Sequence, residues 1–281
     1  MRALVILALA FALSACSVRQ AAVNRVGDAL SAGGDAFAAD DDPELVRAAA
    51  PFSLKLVESL LAESPGHRGL LLAGARGFTQ YAYAFVQQDA DEAEDRDVAQ
   101  QRLLEDRARR LYRRARDYGL RGLALSRPGS EAADVPLLYW TAVSWAALIG
   151  LSKDQPEMLA DLAAVDALLQ RALALDEGHG RGALHTFLIS YEAARPGTGT
   201  ERARRHFQRA LELSGGRDAA PLVALAEAVC VQEQRRAEFE ALLQRALAVD
   251  ADHEPALRLA NRVAQRRARW LLARAERLFT D

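Results

Sequence analysis

Lysine is nearly missing from this chain: among 36 basic residues only Lys55 and Lys153 are lysines, and the rest are arginines. Neither sign of charge is in excess, since 38 acidic residues leave a formal net charge of −2. A protein held to nucleic acid mainly through phosphates needs a marked basic surplus, so that class is excluded. The dominance of arginine reads as codon bias rather than as a phosphate-binding device. Cysteine is equally scarce. With only Cys16 and Cys230, the chain has no disulfide framework and no paired Cys-x-x-Cys; a His-Glu-x-x-His zinc motif is also absent. Neither a Gly-x-Ser-x-Gly elbow nor a phosphate-cradling glycine loop occurs. The sequence therefore offers no support for an enzyme, and no cofactor or metal is expected.

What is present begins at the amino terminus. Arg2 precedes the apolar run Ala3 to Leu13, and Leu13-Ser14-Ala15-Cys16 follows. The run falls well short of the roughly 20 residues that cross a bilayer, so it reads as an export signal, residues 1–15. The tetrapeptide resembles the bacterial lipobox, which implies that Cys16 is acylated and becomes the first residue of the mature chain; the alternative is an ordinary signal with Cys16 incidental. Several acyl chains, each adding about 0.8 kcal/mol per buried methylene, hold a protein on a membrane almost permanently. Residues 16–42, rich in Ala, Gly, Ser and Asp, read as a tether with a short first helix. Cys230 lies in an apolar helical run and reads as a small buried residue.

Residues 43–281 carry a repeat. Leu169-Gln170-Arg171-Ala172-Leu173 returns as Phe207-Gln208-Arg209-Ala210-Leu211 and as Leu243-Gln244-Arg245-Ala246-Leu247, with the glutamines 38 and 36 residues apart. Such periods mark stacked helical pairs. The expected fold is all-α: tetratricopeptide-like stacked helix pairs forming an α-solenoid in a compact single domain. Asp42-Pro43 offers a capped start for a helix running to about Ser64, with Phe52, Leu56, Leu60 and Val57 expected on its inner face. The acidic stretch Asp89 to Asp97 reads as a solvated bend or the first turn of the next helix. Arg107, Arg109, Arg110, Arg113, Arg114 and Arg116 crowd the helix from 99 to 125, where Glu105, Asp106 and Asp117 stand at pairing distances. The run Leu137 to Leu151 is apolar nearly all round. It should be enclosed by other helices, and as read it is too short to span a membrane.

One long final helix is expected from Pro255 to Phe279. Along it Leu257, Asn261, Ala264, Ala268, Leu271, Ala275 and Leu278 form a heptad seam, read either as packing onto the preceding repeat or as a subunit interface. His67, His179 and His253 fall at equivalent turns, which a repeat explains without a metal. His185 and His206 stand on helices and read as satisfied histidines rather than ligands.

Several runs together resemble one family: Asp41-Asp42-Pro43-Glu44-Leu45-Val46, Gly77-Phe78-Thr79-Gln80-Tyr81-Ala82-Tyr83-Ala84-Phe85, Leu138-Tyr139-Trp140, Gly182-Ala183-Leu184-His185, Arg205-His206-Phe207-Gln208-Arg209-Ala210-Leu211-Glu212-Leu213-Ser214, and Leu259-Ala260-Asn261-Arg262-Val263-Ala264-Gln265-Arg266-Arg267-Ala268-Arg269-Trp270-Leu271-Leu272. They look like the T component of TRAP transporters, the TatT family. The resemblance implies a periplasmic lipoprotein of cryptic tetratricopeptide repeats that trimerises, has an apolar channel or cavity, and binds the transporter's solute-binding P component. No catalytic residues carry over. Tyr81, Tyr83, Tyr139, Trp140 and Trp145, on two very apolar helices, are the candidate lining of a cavity for a hydrophobic small molecule; the plain alternative is ordinary core. The competing function is a scaffold lipoprotein for envelope assembly that handles no solute. Ser17 after Cys16 is not the Asp that commonly retains lipoproteins at the inner membrane, which favours the outer membrane, facing the periplasm.

Overall fold

Residues 20–31, 34–127, 129, 131–195 and 199–280 are described by a computed structural model of the chain. Cys16 and the apolar leader lie outside the described residues. Among those residues no strand occurs, and the fold is an all-α helical repeat.

The chain opens with helix α1 (20–31) and the single turn α2 (Gly34–Ala38). Helix α3 (Pro43–Glu63) starts where the sequence signals it: Asp42 Oδ1 accepts from the Glu44 and Leu45 amides at 3.0 Å, and Pro43 needs no partner for its missing N–H. Four pairs follow. Helix α4 (Arg68–Tyr81) passes through a π turn (Ala82–Gln87) into α5 (Gln88–Ala93), and packs on α6 (Val98–Leu123). Next come α7 (Glu131–Gly150), the turn α8 (Pro156–Leu159) and α9 (Leu162–Leu175). The third pair is α10 (Ala183–Ala193) with α11 (Gly199–Ser214), and in the fourth α12 (Ala220–Leu225), with its own π turn (Ala226–Cys230), meets α13 (Arg236–Leu247). The chain ends in α14 (Arg258–Ala273) and α15 (Ala275–Leu278).

The three repeated pentapeptides close α9, α11 and α13, the second helices of successive pairs. Their alanines, Ala172, Ala210 and Ala246, are fully buried, because a methyl at that turn lets the first helix of the pair come close. The first helices touch one another in order, α4 with α7, α7 with α10, α10 with α12, and α12 with α14. They form the inner side of the stack, and α3, α6, α9, α11 and α13 form the outer. Helix α14 then returns to the start of the chain. Leu259 packs into the cluster of Val46, Phe78 and Phe85, and Arg258 Nη1 donates to the Ala39 carbonyl at 2.7 Å.

The heptad seam belongs to the molecule's own core. Asn261, Ala264, Ala268, Leu271 and Ala275 are buried, and Ala264, Ala268, Leu271 and Ala275 pack with Phe239 and Leu242. Asn261 Oδ1 accepts from the Ala219 amide at 2.9 Å, tying α14 to the start of α12.

Four expectations are corrected. Phe52 is 75% exposed; α3 buries Val57 as expected, together with Val46, Leu54 and Leu61. Two apolar stripes run along α3, and leucine side chains beside Gly77 and Phe78 won the inner one. The acidic stretch is a bend only in its second half: Asp89 to Ala93 are helical, because the π turn resets the helix phase and swings these carboxylates toward arginines of α14, and Glu94 to Asp97 turn the chain into α6, which Asp97 caps. The final helix breaks at Arg274, whose backbone leaves helical geometry (φ −105°, ψ 4°). Helix α7 begins earlier than expected and has 20 residues, enough by length and composition to cross a bilayer. Half of its apolar window is buried within the protein, and Asp134 near its start is held by Arg68, so it is an interior helix.

Candidate functional site

Both π turns fall on the inner side, and they face each other across one cleft. A π turn adds a residue to a helical turn and re-aims the side chains beyond it, which is why such turns gather at functional places. The first turn presents Tyr83 and Gln87, and the second presents Glu227 and Ala228. With Gln88, Asp91, Ser190 of α10 and Arg267 of α14 they line a cavity of about 320 Å³. A second cavity of about 460 Å³ lies on the far side of Asp91, Glu227 and Arg267 and reaches Gln101, Glu105, Trp270 and Arg274. The three charged residues thus form the wall between the two.

That wall is one arginine between two carboxylates. Arg267 Nη1 bonds Asp91 Oδ2 at 2.6 Å, and its Nε reaches Glu227 Oε2 at 3.1 Å while Nη2 bonds Oε1, a bidentate arrangement. The guanidinium lies 4.3 Å from the Trp270 ring centroid, and Arg274 covers the same ring at 4.5 Å. Burial alone would lower the Arg267 pKa, but Glu227 and Asp91 outweigh it and hold it above its ordinary value. For Asp91 the balance goes the other way, burial raising its carboxyl more than Arg267 lowers it.

Tyr83 keeps 53% of its surface, yet desolvation pushes its phenol upward. Both hold because the ring stands on the wall of that cavity, one side open to it and protein behind. Burial also raises the Tyr139 phenol, with smaller contributions from Asp218 and Tyr83. Behind Tyr83, Tyr112 donates to Gln87 Oε1 at 2.6 Å. This fixes the first π turn against α6.

Of the five rings expected to line a cavity, Tyr83 is among the lining residues of the cavity between the π turns, whereas Tyr139 packs in the core, meeting Trp140 edge-on with centroids 4.8 Å apart and His179 at 5.7 Å. Tyr81 is buried beside Phe85, its hydroxyl accepting from Arg107 at 3.2 Å. Trp145 points elsewhere, donating Nε1–H to Asp161 at 3.0 Å beneath Arg116. Sequence reasoning missed Asp91, Glu227 and Arg267. Their signal is spread over three distant segments, and nothing in one chain links them before it is folded.

Among the described residues no group of three or more His, Cys, Asp or Glu side chains could hold an ion. His185 Nε2 lies 3.1 Å from Glu177 Oε1, and its Nδ1 lies 2.8 Å from His206 Nδ1. If His185 donates to the carboxylate, its Nδ1 lone pair accepts from His206, a pattern complete with both rings neutral. Burial lowers both pKa values, that of His206 to about 4. The unfolded chain takes up protons near the ordinary value of 6.5, while the folded chain resists. Stability from this pair is therefore full above pH 6.5 and declines as pH falls toward 4. In His206→Gln, urea midpoints measured between pH 7 and pH 4 should vary less with pH than in the parent chain.

Comparison with known proteins completes the description. The chain matches the family model for the TRAP transporter T-component over residues 39–279. It is also 32% identical over 267 residues to an uncharacterized protein of Treponema pallidum (strain Nichols), covering 87% of this chain and 83% of that protein. The family is a transport accessory rather than an enzyme family. A model match of this extent, together with that relative, places the chain: it belongs to the TRAP transporter T-component family.

Proposed function

We propose that this protein is a periplasmic, lipid-anchored accessory of a TRAP-type transport system, held through Cys16 to the outer membrane in preference to the inner. In this reading the solute-binding P component docks on the stack of helix pairs, and an organic solute passes into the concavity behind it. The observation that carries the reading is the inner wall. Tyr83, half exposed, lines a cavity of about 320 Å³ bounded by both π turns. One aromatic face among the fixed polar groups of Gln87, Gln88, Asp91, Ser190, Glu227 and Arg267 suits an organic ligand rich in hydrogen-bonding groups. A homotrimer belongs to the same proposal.

Affinity purification from solubilised envelopes tests it. Recovery of a solute-binding P component, lost on charge or bulk substitutions along the inner wall such as Tyr83→Glu, is the expected result. Solvent extraction of the purified protein should release an organic molecule that the same variant retains less well. The competing scaffold reading gains if only envelope-assembly proteins are recovered and extracts stay empty.

A further inference from the structure

The outer side of the first two helix pairs carries a surface that the inner site does not explain. Helices α3 and α6 lie there as parallel neighbours with α4 beneath both. Tyr118 donates to Glu58 at 3.0 Å, Arg114 stands 3.6 Å from the same carboxylate, and Arg121 reaches the Pro65 carbonyl at 3.0 Å. Counting back along two parallel helices of equal rise puts Phe52 level with Arg110, and Leu45 level with Leu103. Phe52 is 75% exposed, Leu45 57% and Leu103 65%.

Charge is one-sided on α6, while on α3 Glu44, Glu58 and Glu63 outnumber Arg47 and Lys55 by one. Helix α6 carries eight arginines against Glu105, Asp106 and Asp117, a net charge of +5 in a chain whose total is −2. Among the described residues Arg102 and Arg113 meet no carboxylate, and both are exposed. Of the acidic residues just before α6, Asp89, Asp91 and Glu92 are engaged by arginines of α14, Glu94 by Arg274 at its end, and Asp95 by Arg274 and Arg277, while Asp97 caps α6 itself.

We propose that this α3–α6 face docks on an anionic phospholipid surface, with Phe52, Leu45 and Leu103 entering the headgroup layer and Arg102, Arg110 and Arg113 meeting its phosphates. Exposed apolar side chains among cations are what a bilayer interface of that charge takes up. The inference rests on the reading that the protein works at a membrane, and it adds an orientation. The outer side of the amino-terminal pairs lies against the lipid, and the inner wall is turned away from it.

The test uses the full chain as isolated, with Phe52→Cys carrying a polarity-sensitive fluorophore and Arg245→Cys on α13 as the distal control. Cys230 is buried and burial raises its thiol to about 12, so it resists labelling; the parent chain taken through the same labelling supplies the blank. Vesicles of phosphatidylcholine are compared with vesicles containing one quarter phosphatidylglycerol. Docking is supported if emission at position 52 shifts to the blue on the anionic vesicles alone, reverts in high salt, and is lost in Arg110→Glu/Arg113→Glu, while position 245 does not respond. Equal emission on both vesicles, or a concentration-dependent shift without vesicles that marks contact with a second copy, overturns it. Failure to float with neutral vesicles would count against the lipid anchor alone, because the label on anionic vesicles still decides the face.

Discussion

Gly119→Ala should cost about 2–3 kcal/mol of unfolding free energy, although alanine is the better helix former by about 1 kcal/mol. The reason is the crossing of α6 and α7. A Cβ on Gly119 would collide with Thr141 Oγ1 and stand 3.0 Å from Thr141 Cβ and 3.3 Å from its Cα, so the neighbour's backbone would have to yield. Thr141 itself is fully buried and bonded to the Leu137 carbonyl at 2.5 Å, which leaves it no free rotamer to retreat into. Overpacking therefore outweighs propensity. Urea denaturation of three variants checks this. Gly119→Ala should lower the midpoint, Thr141→Ala in the same chain should restore part of the loss, and Gly150→Ala, whose added methyl meets nothing within 4 Å, should be neutral or slightly stabilising. An unchanged midpoint for Gly119→Ala would mean that α6 and α7 do not pack this closely.

How much of this was legible beforehand follows from the range of each interaction. The second helices α9, α11 and α13 announced themselves through a repeated pentapeptide, since each copy answers the same local demand for a small residue at a crossing. The cap at Asp42 was equally readable, being a bond between residues two and three apart. Failure came where one helix had two apolar stripes, as in α3. There periodicity identifies the candidate faces, but the leucine-sized space beside Gly77 decides between them. The π turns were also invisible, because their sequence is ordinary helix and only the packing of Tyr112 on Gln87 shows the reset. The interior wall needed both turns and α14 in place, so Asp91, Glu227 and Arg267 could not be found from spacing. Tyr83 was reached from the sequence only as a member of a group of five rings, and it is the one of the five among the lining residues of the cavity.

Arg267→Leu should be the most damaging single change at the inner wall, lowering stability by about 2–3 kcal/mol and loosening the junction between the two ends of the stack. That junction is held largely by charge. Arg266 pairs with Asp89 and Glu92 at 2.8 Å, Arg274 with Glu94 at 2.9 Å, and Arg277 with Asp95 at 2.8 Å. Most of these pairs are partly solvated, and each alone contributes little. Arg267 differs in being only 13% exposed and in serving two carboxylates at once. Removing it leaves Asp91 and Glu227 facing each other without a cation, and stranding charge costs more than the intact group contributes. The loss should depend on pH with a definite sign. The Asp91 carboxyl is already raised by burial, and without Arg267 it rises further, so the variant's deficit should shrink as pH falls and the stranded acid takes up a proton. Adding Asp91→Asn and Glu227→Gln should recover much of the stability at neutral pH, since a neutral polar set no longer needs the cation. Denaturation midpoints at pH 7 and pH 5, with the radius of gyration from solution scattering, separate the outcomes. A pH-independent deficit, or one that the amide substitutions fail to relieve, would assign Arg267 a packing role on Trp270 instead of the electrostatic one argued from its carboxylates.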